Sequence, residues 1–138
     1  MTEKFTTTIR SDNDIKIALY YVRNILKNLS FSVVDKQKVI VTVSELTQNI
    51  LDHTDSIGSI TCEAIEDRGI QITVQDWGTG IDSTNDNWDG TKSKKKRGLG
   101  LGLEGSKRLM DQFVVESSKG GTKIIAVKWR ESPKAKGR

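Results

Sequence analysis

Two stretches decide how this chain is read: Gln75-Asp76-Trp77-Gly78-Thr79-Gly80-Ile81 and, further along, Gly98-Leu99-Gly100-Leu101-Gly102-Leu103. The first is an acidic residue at the end of an apolar strand, entering a turn with two glycines. The second is a run of alternating glycines that opens an amphipathic helix. Glycines at this spacing let backbone approach a ligand closely, because no Cβ intervenes. The start of the following helix offers unpaired N–H groups and the positive end of a dipole, a natural seat for phosphate. The first stretch therefore suits a ring or base held by a carboxylate, and the second suits a polyphosphate.

Working outward, 138 residues make one domain with a sizeable core; the reading is a domain over 1–130 with a flexible basic tail over 131–138. No apolar run reaches the roughly 20 residues that span a bilayer. Met1-Thr2-Glu3-Lys4 lacks the pattern of a signal peptide, so a cytoplasmic location with no membrane partner is expected. Cys62 is the only cysteine, which excludes an internal disulfide or a thiolate metal cluster. Net charge is +4, unevenly placed: of 22 Lys and Arg, eight crowd Lys92–Arg97 and the tail, leaving fourteen against eighteen Asp and Glu. A nucleic-acid binder would spread basic residues over a face with interleaved aromatics, and Trp77, Trp88 and Trp129 have no stacking spacing, so no nucleic-acid partner is expected.

Lys4 to Arg10 alternates weakly and is rich in threonine, which predicts an edge strand. Ser11 or Asp12 caps a helix whose Ile15, Ala18, Leu19, Val22, Ile25, Leu26 and Leu29 follow the 3.6-residue period. A second helix is expected from about Asp35 to His53. Its centre is β-branched, but Val39, Val43, Leu46 and Ile50 form a helical stripe. Strands Ser59–Glu66 and Ile70–Asp76 flank the hairpin signal Asp67-Arg68-Gly69. Trp77 to Arg97 is polar and aperiodic, a long loop of the kind that serves as a lid. A third helix from about Leu103 to Gln112 precedes a hairpin, Phe113–Ser118 and Thr122–Trp129. This order implies an α+β fold, a two-layer sandwich with a mixed, mostly antiparallel sheet and helices on one face.

Glu45 and Asn49 share a helix face at i, i+4, continued by His53 and less directly by Asp52. A carboxylate beside an amide suits a general base next to an oxygen ligand for Mg²⁺. Taken alone, the same spacing more often marks an ordinary exposed helix face. His53, the sole histidine, cannot build a zinc site with one cysteine. Asn85-Asp86-Asn87-Trp88-Asp89-Gly90 fails as a calcium loop, because Lys96 stands where the closing glutamate belongs. The Gly98 run is neither a Walker loop, lacking the glycine-lysine-serine/threonine sequence, nor a dinucleotide fingerprint, since it follows a lysine-rich loop rather than a strand. Cys62 alternates onto a strand face as a small core residue.

In order and spacing, Glu45-Leu46-Thr47-Gln48-Asn49, Asp76-Trp77-Gly78-Thr79-Gly80, the loop, Gly98-Leu99-Gly100-Leu101-Gly102 and Gly121-Thr122 resemble the N box, first glycine box, lid, second glycine box and last threonine box of the GHKL (Bergerat-fold) ATP-binding superfamily. The small size resembles its anti-sigma and switch-kinase branch. Arg108-Leu109-Met110-Asp111-Gln112-Phe113 and Ala126-Val127-Lys128-Trp129 are similar to the RsbT-type serine/threonine kinases of stressosome signalling.

The resemblance implies the following roles. Asp76 would bond the adenine amino group with support from Thr122, and Gly78, Gly80 and Ile81 would shape the turn beneath the ring. Asn49 would ligate Mg²⁺. Backbone amides of Gly98, Leu99, Gly100, Leu101, Gly102 and Leu103 would cradle the phosphates of ATP, with Arg97 or a neighbouring lysine near the γ-phosphate. Glu45 would orient or accept the proton of the attacking hydroxyl, which in this family belongs to a STAS-domain protein of the RsbS or RsbR kind. A PP2C-type phosphatase or other downstream regulator would be a second partner. The lid run Lys94–Arg97 is more basic than the family pattern, and Thr79 stands where close relatives often carry proline. An anti-sigma factor of the RsbW or SpoIIAB kind and a non-catalytic ATP-gated binding module are the alternatives, and the intact Glu45 argues against the second.

Overall fold

A computed structural model of the chain describes residues 3–53, 57–77, 102–118 and 120–130. The threonine-rich start forms strand β1 (Lys4–Ile9). Helix α1 (Asp12–Lys27) follows, with Ser11 extended at its N-cap and accepting from the Asp14 N–H. Its apolar stripe, Ile15, Ala18, Val22, Ile25 and Leu26, is buried. Helix α2 (Val33–His53) starts two residues before the expected Asp35. Ser32 supplies the cap, its hydroxyl accepting the Asp35 N–H at 3.1 Å and its carbonyl accepting the Lys36 N–H. The stripe Val39, Val43, Leu46 and Ile50 is buried, so period prevailed over β-branching.

Strands β2 (Gly58–Ile65) and β3 (Gly69–Asp76) form the expected hairpin. Its left-handed residue is Glu66 (φ 53°), not Gly69. Gly69 serves another need: a Cβ there would lie 2.5 Å from the Trp129 ring. Helix α3 (Gly102–Leu109) is shorter than the sequence period suggests, and strand β4 (Gln112–Ser118) begins one residue early. The Asp111 N–H is drawn to the Val127 carbonyl, and the Asp111 carboxylate accepts the Trp129 N–H at 2.7 Å, so this corner joins the sheet instead of extending the helix. Strand β5 (Gly121–Trp129) closes the second hairpin.

The strand order is β1-β2-β3-β5-β4, with every described pairing antiparallel, so the parallel component of the expected mixed sheet is not seen among the described residues. Alternation puts Ile60 and Cys62 of β2, Ile70, Ile72 and Val74 of β3, and Ile124 and Ala126 of β5 on the buried face, beneath α1 and α2. Cys62 is a core residue, as expected, and burial pushes its thiol pKa far up. At the end of the sheet away from Asp76, the buried Lys128 ties the layers together. Its Nζ lies 3.8 Å from Asp35 at the start of α2 and 3.6 Å from Asp111 before β4.

Candidate functional site

Four strands end side by side at one edge of the sheet. The register aligns Gly58 of β2 with Asp76 of β3, Asp76 with Thr122 of β5, and Thr122 with Ser117 of β4. Asp76, Ser117, Gly121 and Thr122 line an open cleft of 440 Å³ together with Gln75, Glu116 and Lys123, which alternate to the opposite face of the sheet. Two glycines make this row possible. Gly121 has φ 141°, and a Cβ on it would fall 1.9 Å from the Asp76 carbonyl oxygen. A side chain there would force the two strand ends apart. Gly58 lets helix α2 descend onto the same row: a Cβ would meet Ile50 at 2.7 Å. The turn of α2 that carries Asn49 is thereby pressed against the strand end that carries Asp76.

Along α2, Glu45 and Asn49 occupy the face that the i, i+4 spacing assigned to them, but it is not an exposed face. Glu45 is only 4 % exposed, and Asn49 is half-buried. The simple solvated-face reading of this spacing is therefore overturned for Glu45, on a helix that packs against both α1 and α3. The Asn49 Nδ2 is buried with no hydrogen-bond partner among the described residues, as are Ser106 Oγ and Thr42 Oγ1. An unmade buried hydrogen bond costs about 1–3 kcal/mol, so such atoms mark where a ligand or water belongs. A carboxamide whose nitrogen is unsatisfied and whose oxygen is a hard donor fits a site for Mg²⁺ and phosphate oxygens.

Helix α3 contributes Gly102 at its first position and the buried Leu103, with Ser106 on the same face one turn later. Sequence reasoning passed over Ser106, although its i+3 spacing from Leu103 placed it inward. Ser117 was also missed, because only the strand register brings it beside Thr122. Gly78, Gly80, Ile81, Arg97, Gly98, Leu99, Gly100 and Leu101, with the basic run Lys94–Arg97, lie outside the described residues, as does the side chain of His53. The described structure thus sets Asp76 beside Thr122 at one strand end, brings the Ile50 turn of α2 onto the Gly58 end of the same row, and packs α3, which begins with Gly102 and Leu103, against the α2 helix that carries Glu45 and Asn49. It offers a carboxylate and a hydroxyl at the strand end, a buried carboxylate and a half-buried amide on α2, and a third helix, α3, packed on α2.

Known proteins share this fold. Residues 11–128 match the histidine kinase-like ATPase domain family. Over 134 residues, 94% of this chain and 98% of the relative, the sequence is 38% identical to serine/threonine-protein kinase RsbT of Bacillus subtilis strain 168. The crystal structure of the RsbU and RsbW domains of a Mycobacterium tuberculosis protein superposes with a TM-score of 0.66 over 93% of this chain at 14% identity. This chain spans only 32% of that one. The histidine kinase domain of the Erythrobacter litoralis EL346 blue-light activated histidine kinase gives a TM-score of 0.54 at 17% identity, covering 80% of this chain and 59% of that chain. At these identities the two structures speak for the fold alone. The chain belongs to the histidine kinase-like ATPase family and, by its likeness to RsbT along nearly its whole length, to the serine/threonine-protein kinases within it.

Proposed function

We propose that this protein is a partner-switching kinase that transfers the γ-phosphoryl group of ATP to a serine or threonine of a STAS-domain antagonist. Released from that antagonist, it engages a downstream regulator such as a PP2C-type phosphatase. The observation that carries the reading is the buried Glu45 one turn before Asn49, on the helix seated against the strand end that bears Asp76 and Thr122. A cytoplasmic place suits such partners, and no described helix is long and apolar enough to cross a membrane.

In this reading Asp76 accepts a hydrogen bond from the adenine amino group and the Thr122 hydroxyl supports the same ring. Gly78, Gly80 and Ile81 form the turn beneath it. The amides from Gly98 to Leu103 hold the phosphates at the start of α3, with Arg97 beside the γ-phosphate. Asn49 would hold Mg²⁺, which supplies charge neutralisation at the phosphates when bound. Glu45 accepts or orients the proton of the incoming hydroxyl, a contribution worth roughly 10²–10⁴-fold for a positioned base. Phosphoryl transfer then needs positioning and charge rather than a covalent intermediate on the enzyme.

The test is transfer from γ-labelled Mg·ATP to the STAS proteins encoded in the same genome, with Glu45→Gln as control. The expected result is label on a STAS serine or threonine, lost in the variant while ATP binding persists. Full transfer by Glu45→Gln would remove Glu45 from the mechanism. ATP binding with no transfer to any STAS protein would favour a gated binding module.

A further inference from the structure

Two buried hydroxyls, those of Thr42 on α2 and Ser106 on α3, are left without a role by the kinase mechanism. Both residues are fully buried, and neither hydroxyl has a hydrogen-bond partner among the described residues. A buried helical threonine ordinarily bonds back to the carbonyl one turn earlier, as Thr47 does to Val43 at 2.7 Å. Thr42 and Ser106 do not. The unsatisfied Asn49 Nδ2 belongs with the nucleotide end, but Thr42 lies two turns before it on α2, about 10 Å away along the helix axis.

The Lys128 clamp fixes how α3 lies on α2. Its Nζ reaches Asp35 at the start of α2 and Asp111 just past the end of α3, so the end of α3 sits at the start of α2. Because the two helices pack on each other, α3 runs antiparallel to α2. Asp35, Thr42 and Asn49 are spaced seven apart and share one stripe of α2, the stripe that Asp35 turns toward Lys128. On α3, Leu103 and Ser106 lie three apart and both are buried. Ser106 comes five residues before Asp111 and Thr42 seven after Asp35, roughly 7.5 and 10.5 Å of helical rise, so the two hydroxyls stand within about a turn of the same level. By the same measure Gly102 stands level with Glu45, roughly 13–15 Å from the clamp.

We infer that Thr42 and Ser106 are positioning residues, a role that rests on the kinase reading above. Their hydroxyls close on each other when nucleotide binds, and that bond sets the start of α3 against Glu45 and Asn49. Helix α3 is anchored at its far end, where Asp111 donates its N–H to the Val127 carbonyl, accepts the Trp129 N–H and pairs with Lys128. Its start carries the N–H groups that phosphates attract. A pull on the start therefore turns α3 about Asp111, and Ser106, in the middle of the helix, travels with it past Thr42. One hydrogen bond then satisfies two buried groups at once, in a seam of low dielectric where such a bond is stronger than at the surface.

The test is a double-variant cycle on the full chain, read by thermal unfolding without nucleotide and by calorimetric titration with Mg·ATP. Thr42→Val keeps the shape of the side chain and removes the hydroxyl, and Ser106→Ala removes the other. Without nucleotide each variant is expected to unfold at the wild-type temperature or above, because a buried hydroxyl with no partner is lost. Each is expected to bind ATP about tenfold more weakly, because the bond that binding would close is missing. The double variant is expected to bind no more weakly than either single one, since both remove the same bond. Thr42→Ser, which keeps the hydroxyl, is expected to bind as the wild type does. Wild-type ATP affinity in either single variant would overturn the inference, as would a Tm lowered without nucleotide, which would place a partner on the hydroxyl in the resting fold. Additive losses in the double variant, or Thr42→Ser binding as weakly as Thr42→Val, would overturn it too. ATP binding by the wild-type chain judges the kinase reading by itself, and its failure would sink both; with wild-type binding intact, the pattern among the variants judges the Thr42–Ser106 joint alone.

Discussion

Gly121→Ala tests the geometry on which the nucleotide site depends. At φ 141° the position is one that side chains rarely adopt, and the new Cβ would stand 1.9 Å from the Asp76 carbonyl oxygen, where ordinary contact begins at 3.4 Å. Either Asp76 retreats by about 1.5 Å or residue 121 rotates out of the strand; both undo the Asp76–Thr122 end of the ladder. The backbone strain is worth about 1–3 kcal/mol and each lost ladder bond about 1 kcal/mol, so the stability loss is roughly 2–5 kcal/mol. For a chain of this size that lowers Tm by on the order of 6–20 °C. A carboxylate displaced by more than an ångström also loses its hydrogen bond to a bound base. A charge-assisted bond of about 1.5–3 kcal/mol corresponds to ATP binding roughly 10–150-fold weaker. Thermal unfolding by circular dichroism and calorimetric titration with ATP below the transition give the two readouts separately. Unchanged Tm would refute the packing argument, and a lowered Tm with wild-type ATP affinity would refute the assignment of Asp76 to the base.

Asp76→Asn keeps the shape of the strand end but removes the negative charge and one of the two acceptor oxygens, putting an NH2 donor in its place; titration is expected to show ATP binding abolished with the fold retained. Lys128→Met removes the cation between Asp35 and Asp111, both of which keep their charge, and since Lys38 still lies 3.9 Å from Asp35 the loss is expected to be about 1–3 kcal/mol in urea unfolding. Cys62 should react with a thiol reagent only when the protein unfolds. Because burial raises its pKa in the folded state, the stability it contributes is complete below about pH 9 and declines as pH rises above that, measurable as a falling urea midpoint.

Much of this architecture is local, and so it could be read from the chain. Ser11 as a cap, the stripes of α1 and α2, the alternation of β2 and β3 and the hairpin before β5 each depend on neighbours within a few residues, where period and capping chemistry act. The end of α3 was misplaced because its competitor is distant. Asp111 bonds to Val127 and Trp129 of β5, and no local period reports an offer made by another strand.

For the site, helical spacing and a strand-ending carboxylate offered Glu45, Asn49 and Asp76 as candidates, while Thr122 and the roles of all four came from the family resemblance. Whether Glu45 is solvated or buried was not legible in the sequence, because that depends on how α2 packs against its neighbours, contacts between segments far apart in the chain. The same holds for Ser117 beside Thr122 and for the approach of Ile50 to Gly58. Sequence determined which chemical groups are present and which face of its own helix or strand each occupies. The tertiary structure alone decided which of those faces meet and which lose water, because burial and register are set by long-range packing.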